Sequence, residues 1–122
     1  MPKILVVDDE EEIRNPIAFF LTHRNFDVIT ATNGVEALTL IHSDDQKPDL
    51  IVTDEAMAEM TGTVLLQTLR HEVITIPVIL MGGQIADWRV EQLKDLGFAE
   101  VLQKPFSIKD VLLPMIEKTL QP

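Results

Sequence analysis

The sequence contains no cysteine and has few basic residues. Without cysteine, neither a disulfide framework nor a thiolate zinc site can form. Ten lysines and arginines stand against twenty aspartates and glutamates, which gives a formal net charge of −10. Direct binding of nucleic acid or of an anionic membrane requires clustered positive charge, so this balance argues against both.

The chain also lacks a long hydrophobic run. The apolar stretch at 4–7 is far too short for a signal-peptide core or a membrane span, and no later segment qualifies. We therefore expect a cytoplasmic protein. Its 122 residues suit one domain, residues 1–122, with a core of its own. No further domain follows Pro122, so we expect either a stand-alone protein or one domain cut from a longer one.

The opening stretch is the most informative part of the sequence. Four apolar residues, 4–7, are followed at once by five carboxylates, 8–12. The short β-branched run predicts a buried strand, and acidic residues suit the start of a helix. Like charges packed at the end of a strand are costly unless a positive group lies beside them. The pattern therefore predicts a strand, an acidic turn and a helix, with a cation nearby.

Strands and helices alternate along the whole chain. Apolar runs bounded by turn residues predict five strands, at 4–7, 26–31, 50–53, 78–81 and 101–102. Helical spacing predicts helices at 11–24, after Asn33-Gly34 with Val35, Leu38 and Ile41 on one face, around Val64, Leu65 and Leu69, at 85–96, and after Ser107. The polar segment 43–48 predicts a loop.

Several residues predict local features of these elements. Gly82 and Gly83 are expected to close the fourth strand, and Gly97 to end the fourth helix. Pro16 and Pro114 lie inside predicted helices, where Pro114 is expected to cause a kink and Pro16 a kink or a loosened first turn. Ser107, three residues before Asp110, resembles a helix N-cap.

The alternation predicts an α/β fold, a doubly wound five-stranded parallel sheet covered by helices on both faces. In such sheets ligands bind beyond the carboxyl ends of the strands. The residues at those ends are Asp8, Asp9, Asp54, Gly82, Gly83 and Lys104. We therefore expect them to share one edge of the sheet.

Three carboxylates and a lysine suggest phosphoryl chemistry. Carboxylates without histidine or cysteine ligands suit a hard cation, above all Mg²⁺, whose shell a phosphate commonly completes. An aspartate beside such a metal can act as a nucleophile towards phosphorus, and a lysine offsets the charge on the transferred oxygens. The spacing alone does not say which aspartate accepts the group.

Five motifs in order resemble the receiver domain of two-component response regulators, over essentially the whole chain. They are Val7-Asp8-Asp9-Glu10, Pro48-Asp49-Leu50-Ile51-Val52-Thr53-Asp54, Met57 with Met60-Thr61-Gly62, Pro77-Val78-Ile79-Leu80, and Lys104-Pro105-Phe106. The resemblance implies a flavodoxin-like strand order, 2-1-3-4-5. It also implies phosphorelay signalling, in which a sensor histidine kinase or phosphotransfer protein supplies the phosphoryl group.

The resemblance assigns a role to each residue of the site. It implies that Asp54 is the phosphoacceptor and a Mg²⁺ ligand, and that Lys104 pairs with the phosphoryl group before a cis peptide bond to Pro105. Asp9 would bind Mg²⁺ directly and Asp8 mainly through water, with the backbone carbonyl of Ala56 completing the ligands. The expected activity is self-phosphorylation and autodephosphorylation, not enzymatic turnover of another substrate.

Two positions depart from the family pattern. Gly82 stands where the family usually has serine or threonine, and Val101 where it usually has tyrosine or phenylalanine. Both positions normally couple phosphorylation to the face formed by the fourth helix, fifth strand and fifth helix, where an output partner would bind. Ala56 and Gln84 occupy the positions that tune dephosphorylation. We therefore expect retained phosphoryl chemistry, with Gly82 and Gly83 beside the phosphate, and an altered switch.

The same residues allow other interpretations. Asp8 and Asp9 could form only a helix cap, and the fold could serve as a pseudo-receiver, an interaction module without phosphorylation. A flavin-binding electron carrier is disfavoured because two aspartates would repel the flavin phosphate. His23, His42 and His71 fall at no strand end and are expected on the surface.

Overall fold

The computed structural model describes residues 1–43, 45 and 47–121. Within them, strands and helices alternate as the sequence predicts. The elements in chain order are β1 (Lys3–Val7), α1 (Glu11–Thr22), β2 (Asp27–Ala31), α2 (Gly34–His42), β3 (Leu50–Asp54), α3 (Gly62–His71), β4 (Val78–Gly83), α4 (Asp87–Leu96), β5 (Glu100–Lys104) and α5 (Leu113–Leu120). A π-helical turn, Ile108–Leu112, precedes α5.

The five strands form one parallel sheet in the order β2-β1-β3-β4-β5, which confirms the predicted topology. Alternate residues of β1 enter different cores because successive side chains of a strand point to opposite faces. Leu5 and Val7 pack with α2, α3 and α4 on one face. Ile4 and Val6 pack with α1 and α5 on the other. None of the described helices is long and apolar enough to cross a membrane.

Three predicted boundaries on the α4 side of the sheet were wrong. Gly82 and Gly83 do not close β4 but belong to it, paired with Gln103 and Lys104 of a longer β5. The helix α4 begins at Asp87, not at residue 85, because the amide of Ile85 donates to the Gln103 side chain at 3.2 Å. Gly97, with a φ of 122°, ends α4 as predicted.

The two prolines expected to kink helices have different settings. Pro16 lies inside α1, which is continuous through it and ends at Thr22, two residues before the predicted end. Pro114 lies in the first turn of α5. Because the π-helical turn Ile108–Leu112 continues directly into α5, the proline is interior to the helical segment 108–120, as predicted. The predicted N-cap is confirmed, since the Ser107 hydroxyl accepts from the amide of Asp110 at 2.9 Å.

The predicted buried face of α2 is confirmed for Ile41, which is buried, and for Leu38, which packs against the core, but it was wrong for Val35. Gly34, Ala37 and Ile41 are its buried residues, whereas Val35 is exposed. Gly34 lies against Met60, whose sulfur would be 2.7 Å from a Cβ at that position. In the predicted loop at 43–48, Asp44 and Gln46 lie outside the described residues.

Candidate functional site

The ends of three strands bring the predicted residues together. Asp8 follows β1 directly, Asp54 is the last residue of β3, and Lys104 is the last residue of β5. The Lys104 Nζ lies 2.9 Å from Asp54 Oδ1 and 3.3 Å from Asp8 Oδ2. The predicted convergence of three aspartates and a lysine is confirmed, because Asp9 lies in the same carboxylate cluster as Asp8 and Asp54.

Asp8 is the most constrained member of the group. Its side chain is fully buried, and while one carboxylate oxygen binds Lys104, the other accepts from the amide of Glu10 at 2.9 Å. The Arg14 guanidinium donates to its backbone carbonyl at 2.8 Å. These contacts fix the start of the acidic turn against the first turn of α1.

Four carboxylates converge at this edge. Oxygens of Asp8, Asp9, Glu10 and Asp54 all lie within 4.8 Å of one another, and Asp9 and Glu10 are exposed to solvent. Four hard oxygen donors, partly open to water, suit Mg²⁺, which keeps several waters when it binds to proteins. The cluster fits that ion. Glu10 was not predicted as a site residue, although its place directly after two aspartates signals its proximity.

The electrostatics of the site follow from burial and charge. Burial raises the pKa of Asp54, the negative charge of Asp8 raises it further, and the hydrogen bond from Lys104 only partly opposes both. Burial alone would lower the pKa of Lys104, but the hydrogen bond and charge of Asp54, together with the charge of Asp8, raise it. The lysine thus stays protonated between two carboxylates.

The loop after Asp54 is held by its own hydrogen bonds. The Glu55 carboxylate accepts from the amide of Thr63 at 2.7 Å, and the amide of Gly62 donates to the Glu55 carbonyl at 3.1 Å. A Cβ at Gly62 would stand 2.6 Å from the Asp54 carbonyl oxygen, so no other residue fits there without a shift of the backbone. Ala56, the predicted carbonyl ligand, is exposed on this loop.

A cavity of about 360 Å³ adjoins Asp54 on the α4 side. Its wall includes Gly82 and Gly83, which present no side chains, and also Trp88 and Arg89 of α4. Gly83 has open space where a Cβ would lie. Arg89 was not predicted as a site residue, because its position beside the cavity depends on where α4 begins.

Val101 and the three histidines lie outside the carboxylate cluster. Val101 of β5 is half-buried and packs against the core on the side of α2, α3 and α4. His23, His42 and His71 are exposed, as predicted, and do not contribute to the carboxylate cluster. The Lys104–Pro105 peptide bond is cis, in agreement with the family resemblance.

Comparison with known proteins identifies the class to which this fold and site belong. The family model of the response regulator receiver domain matches residues 4–116. The chain belongs to this family, the receiver domains of two-component response regulators, which signal through phosphorylation and bind Mg²⁺ at the acidic pocket.

Individual relatives agree with this assignment. The alkaline phosphatase synthesis transcriptional regulatory protein PhoP of Bacillus subtilis is 35% identical over 109 residues, covering 89% of this chain and 45% of the relative. The probable transcriptional regulator ycf27 of Cyanophora paradoxa is 40% identical over 111 residues, covering 89% of this chain and 44% of its own length. The chain thus spans less than half of these curated relatives.

A solved structure shows the same architecture. The Francisella response regulator 1452 receiver domain superimposes with a TM-score of 0.89 at 32% sequence identity, covering 98% of this chain and 96% of the other. The agreement extends over nearly the full length of both chains. The fold of this chain is therefore the fold of that receiver domain.

Proposed function

We propose that Asp54 accepts a phosphoryl group from a phosphohistidine on a sensor histidine kinase or phosphotransfer protein, in a Mg²⁺-dependent reaction. The contact of Lys104 with both Asp54 and Asp8, beside four convergent carboxylates, is the observation that supports this proposal. An oxygen of Asp54 attacks the phosphorus, the phosphorus–nitrogen bond breaks, and its electron pair stays on the imidazole.

The surrounding residues have distinct roles in this step. Lys104, already bound to Asp54 Oδ1, neutralises charge on the transferred oxygens and orients the carboxylate. Asp9, Asp54 and the Ala56 carbonyl would hold Mg²⁺ directly. Asp8, whose two oxygens already bind Lys104 and the Glu10 amide, would act mainly through water. Bound Mg²⁺ supplies positive charge that offsets the charge on the phosphoryl oxygens.

The chain is not expected to turn over another substrate as an enzyme. Its chemistry would be limited to self-phosphorylation and autodephosphorylation at Asp54. Ala56 and Gln84, both exposed, line the cavity beside Asp54, and neither side chain carries a carboxylate that could activate a hydrolytic water. Output would depend on a partner docked at the face of α4, β5 and α5, with no direct contact to nucleic acid by this chain.

An atypical switch belongs to the same proposal. Gly82 offers no hydroxyl to a phosphoryl oxygen, and Val101 has no aromatic ring that could move between exposed and buried positions. Phosphorylation shifts a two-state equilibrium only through its differential interaction with the two states. The usual coupling between phosphate and partner face would therefore be weak.

A pseudo-receiver is the second candidate function, and the bare Gly82 position is the observation that favours it. Such a protein would use the fold to bind a partner without phosphorylation. The intact acidic cluster and Lys104 favour the phosphorylated form instead.

Intact-protein mass spectrometry separates the two functions. With acetyl phosphate or phosphoramidate and Mg²⁺, the wild-type chain should gain one phosphoryl mass that hydroxylamine removes. Asp54→Asn should abolish the gain, whereas Glu91→Gln, an exposed α4 control with the same loss of charge, should retain it. A wild-type chain that never gains this mass would favour the pseudo-receiver, and an adduct that survives Asp54→Asn would mean that another residue is the acceptor.

A further inference from the structure

Arg89 is a cation on the wall of the same cavity as Asp54. It lies in the first turn of α4, is half-buried, and lines the cavity together with Asp54, Gly82 and Gly83. Lys104 does not line this cavity but a separate one, with residues of α1. The two cations therefore approach the acceptor region from different sides.

The charge of Arg89 is not neutralised by a neighbour. Its guanidinium donates to the neutral side chain of Gln92, and it forms no ion pair with any carboxylate in the described part of the chain. In a chain with twice as many acidic as basic residues, an arginine that lines a cavity and has no carboxylate partner among the described residues is available for an anion.

The cavity has room for that anion beside Asp54. Its volume of about 360 Å³ is many times the roughly 30 Å³ occupied by one water molecule. The two glycines at the end of β4 offer no side-chain donor of their own to this cavity. A phosphoryl oxygen pointing towards β4 would thus meet no hydroxyl, and Arg89 is the cation that lines the space.

We propose that Arg89 binds a phosphoryl oxygen of phosphorylated Asp54 and takes the place of the hydroxyl that Gly82 lacks. This inference rests on the proposed function, because it requires a phosphoryl group on Asp54. The guanidinium exchanges its hydrogen bond to Gln92 for a charge-assisted bond to the anion. Lys104 holds one side of the phosphoryl group and Arg89 holds the other.

Beryllium fluoride, a mimic of the aspartyl phosphate, provides the first test. Its affinity in the presence of Mg²⁺ is measured by calorimetry, with Trp88, the single tryptophan, as a fluorescent reporter on the cavity wall. Arg89→Gln should weaken binding about tenfold or more, since a charged hydrogen bond is lost. Arg89→Lys should restore part of the affinity. Lys94→Gln, which removes a charge from the same helix outside the cavity, should match the wild type.

A double-mutant cycle with Gly82→Ser tests whether Arg89 substitutes for a hydroxyl. A Cβ at Gly82 would lie 2.9 Å from the flexible Cδ1 end of Ile85, so the serine is accommodated by a small movement of that side chain. In the Gly82→Ser background, Arg89→Gln should cost less affinity than in the wild type. If Arg89→Gln costs the same affinity in both backgrounds, Arg89 does not take the place of the hydroxyl.

The outcomes distinguish the two proposals. If the wild type gains a phosphoryl mass on Asp54 but Arg89→Gln binds beryllium fluoride as the wild type does, the role of Arg89 is refuted and the proposed function stands. If the wild type neither gains the mass nor binds beryllium fluoride, both proposals fail. Binding of Mg²⁺ alone should be equal in wild type and Arg89→Gln, and a parallel loss of Mg²⁺ affinity would refute a phosphate-specific role.

Discussion

Lys104 balances the buried charge of the site. It bridges Asp54 and Asp8, which are almost fully buried, so its removal leaves two uncompensated carboxylates. We expect Lys104→Met to lower the free energy of unfolding by roughly 2–3 kcal/mol without Mg²⁺. Lys94→Met, which removes the exposed pair with Glu100, should cost less than about 1 kcal/mol.

Urea denaturation with and without Mg²⁺ measures both effects. Because the pKa of Lys104 is raised in the folded state, its stabilising contribution is full below the ordinary lysine range and is lost as pH rises through the raised pKa. The difference between wild type and Lys104→Met should therefore shrink at strongly alkaline pH. If Lys104→Met and Lys94→Met lower the free energy of unfolding equally at pH 7, Lys104 does not balance the buried charge of the site.

Asp54 is predicted to destabilise the fold when it is ionised and no metal is bound. Its pKa is raised by burial and by Asp8, so the folded state binds a proton more tightly than the unfolded state does. Stability is therefore lost as pH rises through the raised pKa, and the cost is present at pH 7. We expect Asp54→Asn to increase the free energy of unfolding on the order of 1 kcal/mol at pH 7.

The gain in free energy of unfolding from Asp54→Asn should disappear at a pH below the ordinary pKa range of aspartate, where residue 54 is neutral in both the wild type and the variant. Mg²⁺ should narrow the difference at pH 7, because it stabilises the wild-type carboxylates. Glu91→Gln, at an exposed position of α4, controls for the loss of one negative charge and should leave stability nearly unchanged. A destabilised Asp54→Asn at pH 7 would show that the contact with Lys104 outweighs burial.

The acidic pair, the acceptor and the lysine could be found from the sequence because each stands at a strand end. A parallel sheet brings such positions to one edge whatever the details of packing. Arg89 and Gln103 could not be found in this way. Their contacts depend on the bend between β4 and α4, where Gln84 adopts a φ of 37°, and no periodicity encodes that bend.

At the scale of elements, existence and order were predictable, whereas several ends, such as those of β4 and β5 and the start of α4, were not. Buried runs such as 50–53 identify a central strand by hydrophobicity alone, but the length of β5 is set by its pairing with β4. The face of α2 was mispredicted at Val35, because the small residues Gly34 and Ala37 are buried there instead and Gly34 lies against Met60. The hydrophobic pattern identified Leu38 and Ile41 correctly but could not show that a small residue is needed where the helix approaches Met60.

The β4–α4 connection is expected to limit how far phosphorylation remodels the partner face. The Gln103 side chain holds the amide of Ile85, Gly82 has no hydroxyl to pull towards a phosphate, and Val101 is anchored against the core. We therefore expect that beryllium fluoride with Mg²⁺ changes amide NMR shifts strongly around the acidic cluster and the cavity, but weakly along β5 and α5.

The matched comparison is Gly82→Ser, which supplies the missing hydroxyl. Its shift changes should extend further along α4 and β5 than those of the wild type, because the new bond differs between the free and phosphorylated states. Large wild-type changes across 98–106, equal to those of Gly82→Ser, would contradict a weakened switch.

At the scale of the whole molecule, the acidic excess is both general and local. With a net charge of −10, the charged groups repel one another across the surface, and four of the carboxylates converge at one edge of the sheet. Monovalent salt screens the general repulsion between exposed groups but reaches the buried pair, Asp8 and Asp54, much less. A divalent ion bound at the cluster reduces both the general repulsion and the repulsion between Asp8 and Asp54.

Mg²⁺ should therefore raise the unfolding temperature beyond the effect of ionic strength. At a concentration ten times the dissociation constant, mass action contributes about 1.4 kcal/mol, which corresponds to a few degrees for a domain of this size. Differential scanning calorimetry in MgCl₂ and in NaCl of equal ionic strength measures the difference. Asp9→Asn should abolish it, Asp8→Asn should reduce it less, and Glu11→Gln, an exposed acidic neighbour outside the cluster, should preserve it. Equal stabilisation by the two salts, or an undiminished Mg²⁺ effect in Asp9→Asn, would show that the carboxylates do not act as a metal site.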